Sequence, residues 1–223
     1  TQRYTPYIFT HDEIQKILKT ADSLPKPKRN SQFHIVFPAV LRILYGCGLR
    51  VSEVLSLKMR DVDLKNGFLY IRNAKFDKSR RIPISDSLLN YLRGYKYKNE
   101  FLISQNEDGF FFPNAYKECY SQRTVYDKFR EVLWKSGIPH QGKGKGPRVH
   151  DLRHTFSVHS LQQNIDHGKE IYVALTALMV YLGHSKISST EYYLRLTAEV
   201  YPDFLKKADT MCAKAIPEVI RYE

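Results

Sequence analysis

The sequence predicts a mostly α-helical fold with a small antiparallel β-sheet, an α+β class. Two observations carry that prediction. Apolar residues recur every three or four positions through most of the 223 residues, often behind a capping side chain. Across roughly residues 68–84 the period shortens to two, the mark of a half-buried hairpin. The length suits one domain or two small ones.

In chain order, "FTHDEIQKILKTADSL" predicts a helix capped by Thr10, with Glu13 three residues on completing a capping box. Ile14, Ile17 and Leu18 form its apolar stripe. "PKPKRNSQ" is a basic loop broken by prolines, and "FHIVFPAVLRILYGCGLR" a buried helix ending at Gly46 and Gly48. "VSEVLSLKMRDV" opens another helix directly after Arg50. "FLYIRN" and "RRIPIS" read as strands joined by "AKFDKS", and "SDSLLNYLRGYK" returns to helix. "SQRTVYDKFREVLWKSG" is an amphipathic helix ended by Gly137, and "HQGKGKGPR" a glycine-rich basic loop. "VHDLRHTFSVHSLQQN" and "KEIYVALTALMVYLG" are helical, the second one buried. Ser188 and Glu191 offer a cap for a last helix carrying Tyr192 and Tyr193, and the sequence shows no internal repeat.

The formal charge of +12 and pI near 9.5 point toward a polyanionic partner, above all nucleic acid. The longest apolar run is interrupted by Thr176 and too short to span a bilayer, so no membrane partner is expected. Cys47, Cys119 and Cys212 are scattered and odd in number, which predicts reduced thiols in a cytoplasmic protein. The opening "TQRYTPYIF" lacks a methionine, so a fragment of a longer protein is expected.

"GKGKG" lacks the Lys-Ser/Thr ending of a nucleotide-binding loop, and no histidine–cysteine grouping has zinc spacing. Asp61 and Asp63 in "RDVDL" fit a helix-to-strand turn as well as a metal site. The expected chemistry therefore uses no metal, nucleotide or other cofactor. Cationic side chains are more informative. Arg50 follows a glycine pair at a helix start, where backbone N–H groups and a guanidinium can clamp an anion. Its alternative is a surface ion pair with Glu53, three residues on. His150 and Arg153, three apart, can share a helix face, hold a phosphate and move a proton. Lys75 and Lys78 lie in the hairpin turn, where a lysine is either solvated or poised to protonate an alkoxide. His154 and His159 read as packing or surface histidines, and His184 follows a helix-ending glycine. A tyrosine attacks a phosphodiester only where cations stabilise its phenolate and the developing phosphorane charge.

Arg50 in "GLRVSE", Lys75, "HDLRH" at 150–154, "LGHS" at 182–185 and a tyrosine nine residues after His184 form one ordered series. From "FTHDEIQKIL" to the tail, the chain resembles the catalytic domain of the tyrosine recombinases, the phage integrase family. The resemblance implies that Arg50 and Arg153 hold the non-bridging oxygens of the scissile phosphate and His184 hydrogen-bonds it. His150 would exchange a proton with the nucleophile, Lys75 would protonate the departing 5′-oxygen, and Glu53 and Asp151 would orient their neighbours. The family spacing "LGHxxIxxTxxY" puts the nucleophile at Tyr193 rather than Tyr192. Many relatives have a "GKG" turn where this chain has "NAKFDKSRR", which leaves Lys78 as the alternative to Lys75.

The implied activity is site-specific DNA strand exchange through a 3′-phosphotyrosyl bond, serving integration or excision of a mobile element in a bacterial host. Implied partners are double-stranded DNA at a recombination site, further protomers in a synaptic tetramer, and accessory DNA-bending proteins. Residues 1–223 would be the catalytic domain, without the N-terminal DNA-binding domain of relatives. The tail 203–223 would dock on a neighbouring protomer or its own domain through Leu205, Met211, Cys212, Ile216 and Val219. Topoisomerase IB-like DNA relaxation and a non-catalytic DNA-binding module of the same fold are the alternatives.

Overall fold

The computed structural model describes residues 5–26, 32–72, 79–101, 103, 106–139, 146–184 and 188–204. Among them, eight helices accompany one three-stranded sheet, and the chain divides into two compact units, Thr1–Phe156 and Ser157–Glu223.

The first unit begins with α1 (His11–Asp22). Thr10 accepts the Glu13 amide at 3.2 Å and Glu13 returns a bond to the Thr10 amide at 2.8 Å, closing the expected capping box. Helix α2 (Phe33–Gly46) is apolar on nearly every side and runs through the centre of this unit, as a helix without a polar face must. Helix α3 (Val51–Leu55) is much shorter than its sequence predicts. After Leu55 the chain instead forms a 3₁₀ turn, Met59–Asp61, and a two-residue strand β1 (Val62–Asp63). Strand β1 pairs antiparallel with β2 (Phe68–Ile71), which pairs with β3 (Arg80–Pro83). The expected hairpin is thus the larger part of a three-stranded sheet.

Leu69, Ile71 and Ile82 form the buried face of that sheet. Helices α4 (Asp86–Lys98) and α5 (Gln122–Lys135) are capped by Ser85 and Ser121. Gly137 ends the second segment at φ +72°, a conformation that only glycine adopts without cost. Phe9 and Phe129 meet edge to face, and Tyr95, Phe111 and Phe112 form a second aromatic cluster. The Phe9 amide donates to Thr155 Oγ1 at 3.0 Å, tying the N-terminal segment to α6 (Asp151–Asp166) across 146 residues.

The second unit takes in the rest of α6, then α7 (Ile171–Leu182) and α8 (Ser188–Val200). Gly183, left-handed at φ +69°, stops α7 and lets its amide return to Val180. Helices α7 and α8 pack together, burying Leu175, Leu178, Leu182, Tyr193 and Leu196. The cap expected from Ser188 rests on a side chain outside the described residues, and so do the basic loop 140–145 and the tail from 205 onward.

Candidate active site

In the first unit, the path of the chain before α3 sets the position of Arg50. Gly48 is left-handed at φ +58°, and a Cβ there would collide with the Phe156 ring. Leu49 is buried, and Arg50 then stands in extended conformation at the N-cap of α3. Its amide donates to Glu53 Oε2 at 2.9 Å and its Nη1 to Oε1 at 3.0 Å. The ion pair anticipated on the surface is therefore built on a buried carboxylate, since Glu53 is only 8% exposed.

Glu53 also receives Arg80 from β3, whose Nη2 reaches both carboxylate oxygens at 3.0 and 2.9 Å. Burial alone would push the Glu53 carboxyl up. The Arg50 amide and the charges of Arg80 and Arg50 outweigh it and hold the group below its ordinary range.

Arg153, 2% exposed, donates through Nη1 to the Gly48 carbonyl at 2.7 Å, across 105 residues of sequence. That bond brings the second arginine to the loop that carries the first. Asp151 is fully buried and accepts the Arg148 amide at 2.8 Å, which closes the turn that holds His150. His150 stands just before α6 rather than on it, and the Arg153 amide returns to its carbonyl at 3.0 Å. The imidazole keeps exposed surface, and its pKa lies below the ordinary 6.5. Partial burial is the largest cause and the charges of Arg153 and Arg50 add to it, against a smaller opposing effect of Glu53. A neutral imidazole beside two guanidinium groups is equipped to accept a proton near a bound anion.

Beside Arg50 opens a cleft of roughly 610 Å³ lined also by Lys58, Arg60, Tyr70 and Arg72. Arg72 pairs with Asp61 at 2.6 Å and Lys58 with Asp108 at 3.3 Å. Lys75 and Lys78 lie outside the described residues.

In the second unit, His184 follows the glycine stop of α7, and its Nδ1 lies 3.0 Å from Thr190 Oγ1. Its ring stacks on that of Tyr193 with centroids 6.1 Å apart and planes 8° from parallel. Tyr193 is buried, whereas Tyr192 is partly exposed and its ring lies under the Arg195 guanidinium. The two tyrosines thus occupy different surroundings, and the one paired with His184 is Tyr193. His159 is buried with its ring edge toward Tyr201, as expected of a packing histidine.

Arg50, His150 and Arg153 therefore converge in the first unit, and His184 and Tyr193 in the second. Sequence reasoning missed Arg80 and Thr190 as partners. A signal for Arg80 existed, because alternation along β3 puts it on the same face as buried Ile82.

Comparison with known proteins gives a consistent result. The sequence profile of the phage integrase family matches residues 8–199. The tyrosine recombinase XerA of Pyrococcus furiosus is 31% identical over 213 residues, covering 92% of this chain and 63% of that protein. The tyrosine recombinase XerD of Proteus mirabilis is 31% identical over 162 residues, 72% of this chain and 48% of its own length. The chain thus spans less than two thirds of either relative. Among solved structures, XerA recombinase superimposes with a TM-score of 0.66 at 23% identity, covering 90% of this chain and 66% of the other. XerH site-specific recombinase bound to a palindromic difH substrate, in a post-cleavage complex, gives 0.67 at 20% identity over 88% of this chain and 51% of the other.

Proposed function

Since this chain belongs to the phage integrase family, we propose that it is the catalytic part of a site-specific DNA recombinase that cuts and rejoins DNA through Tyr193. One observation carries the reading. The bond from Arg153 to the Gly48 carbonyl brings the second arginine across 105 residues to the loop that carries the first, beside a histidine whose pKa is lowered. That is the equipment an in-line attack on a phosphodiester needs.

In the reaction, Arg50 and Arg153 bind the non-bridging oxygens of the scissile phosphate and stabilise the charge of the phosphorane. His150 accepts the phenolic proton as Tyr193 Oη attacks phosphorus, and His184 hydrogen-bonds the phosphate. Lys75 protonates the 5′-oxygen as the P–O5′ bond breaks, leaving a 3′-phosphotyrosyl ester and a free 5′-hydroxyl. A 5′-hydroxyl from another duplex then attacks that ester, giving its proton to Lys75, while His150 returns the phenolic proton to Tyr193 as the bond from phosphorus to the tyrosine oxygen breaks. Because the ester conserves the energy of the broken bond, the exchange needs no nucleotide hydrolysis.

The substrate is double-stranded DNA at a recombination site. The working assembly is a tetramer on two duplexes, with residues 203–223 available for docking between protomers and DNA-bending proteins as accessories. Integration or excision of a mobile element in the bacterial cytoplasm is the biological setting that fits.

The test is a nicked duplex whose short leaving strand diffuses away, its recombination site selected from a random library by covalent capture. Wild type is expected to give a protein–DNA band that survives SDS without added metal, and Tyr193→Phe none. Relaxation of a plasmid that lacks the selected site would favour a topoisomerase instead. Absence of the covalent band would sink the proposal.

A further inference from the structure

We propose that Arg80 is a positioning residue for this reaction: by neutralising Glu53 from the lysine-bearing hairpin, it leaves the charge of Arg50 available to the phosphate. The inference rests on the recombinase reading above. Arg50 and Glu53 alone form a pair with no net charge, and such a pair has little to offer an anion. Glu53 is buried and lies three residues from Arg50, so its carboxylate would otherwise hold the guanidinium to itself. Arg80 changes that balance. Its Nη2 contacts both carboxylate oxygens, and its side chain is only 11% exposed, less than the 32% of Arg50. Two guanidinium groups on one carboxylate leave a net positive charge. The more exposed arginine, Arg50, is the one that presents it.

The same contact has a second consequence. Arg80 opens β3, opposite Ile71 of β2, and the segment between those strands carries Lys75 and Lys78. The clamp on Glu53 therefore anchors the strand behind the candidate general acid to the helix whose cap is the phosphate-binding arginine. The neighbouring Arg81 is different. It is exposed and lies over the Phe68 ring at 4.3 Å.

The experiment compares two nicked duplexes in the full gene product, one with the ordinary scissile phosphate and one with a methylphosphonate. The methyl group removes the negative charge that Arg50 is there to meet. Arg80→Ala is expected to slow cleavage of the phosphate about 30-fold, and the methylphosphonate by less than about 3-fold. Arg80→Lys should recover most of the loss, because it restores the charge. Arg80→Ala with Glu53→Gln should also recover it, because the carboxylate that captures Arg50 is gone, and this variant covers the case in which Arg80→Ala folds poorly. Arg81→Ala, which removes the same formal charge, should leave the rate unchanged.

Equal slowing on both duplexes would reduce Arg80 to a structural residue, as would a double variant no faster than Arg80→Ala. Either result would overturn the proposal and leave the recombinase reading intact. Failure of wild type to cleave the phosphate duplex at all would remove the recombinase reading, and this role of Arg80 with it.

Discussion

The residues that the recombinase reading assigns to the reaction are held by different means in the two units. In the first unit, Arg80 and Arg153 are fixed by bonds between segments far apart in sequence, and the buried Glu53 carboxylate that holds Arg80 also holds Arg50, its neighbour three residues away. In the second unit, His184, Thr190 and Tyr193 lie within ten residues of chain, joined by the His184–Thr190 hydrogen bond and the stacking of the His184 and Tyr193 rings, contacts between near neighbours in sequence. Under the proposed mechanism the difference suits the roles assigned to the two groups. A phosphate clamp gains from being rigid before the substrate arrives, because preorganised charge does not have to reorient during the reaction. A nucleophile that must attack, stay bonded and leave again is served by a lighter, local arrangement.

Breaking the second unit at Tyr193, the proposed nucleophile, should have the largest effect. Tyr193→Phe is expected to abolish the covalent complex on the nicked duplex, a loss beyond about 1,000-fold. Tyr192→Phe should stay within about 3-fold of wild type on the same gel. If Tyr192→Phe alone lost the complex, the assignment of the two tyrosines would be reversed.

Next in size is the clamp. Arg153→Ala should lower cleavage about 100- to 1,000-fold. It should also destabilise the protein by about 1–3 kcal/mol in urea titration, because the Gly48 carbonyl loses its buried partner. A rate loss without a stability loss would mean that the bond to Gly48 carries no structural weight.

The loop before α3 is a purely structural test of the same unit. Gly48→Ala meets both an unfavourable φ and the Phe156 ring, and should cost about 3 kcal/mol. Retention of wild-type stability would show that this loop has room to relax.

Acidity probes the histidine between the two arginines. With its pKa below 6.5, His150 stays neutral through the neutral range and becomes protonated only on further acidification. Cleavage by wild type should therefore hold constant near neutral pH and fall about tenfold per unit below the His150 pKa. His150→Ala should be slow and lack that acid limb. An acid limb centred above 6.5 would contradict the environment described for the ring.

The smallest effect is expected at the light end of the comparison. Thr190→Val removes the partner of His184 Nδ1 and should reduce cleavage about 3- to 10-fold, with DNA affinity in a shift assay unchanged.

Sequence by itself determined the local features of this protein. Thr10 announced a helix start, Gly137 and Gly183 helix ends, and the alternation of 68–84 a hairpin, because capping and periodicity act within a few residues. The ordered motif series pointed to the family, and the family's motif spacing, not local geometry, pointed to Tyr193 rather than Tyr192. What tertiary structure decided was which charges are buried. Taken by itself the Glu53 pair had the alternative of an ordinary surface bridge, Arg80 drew no notice, and the helix from Val51 was expected to run on through Val62. Each of these depends on partners brought from elsewhere in the chain, β3 for Glu53 and β2 for β1. Burial strengthens an ion pair and raises the cost of breaking it. Sequence separation does not report burial, so the same residues can form a solvated pair or, as here, a pair of guanidinium groups on a buried carboxylate.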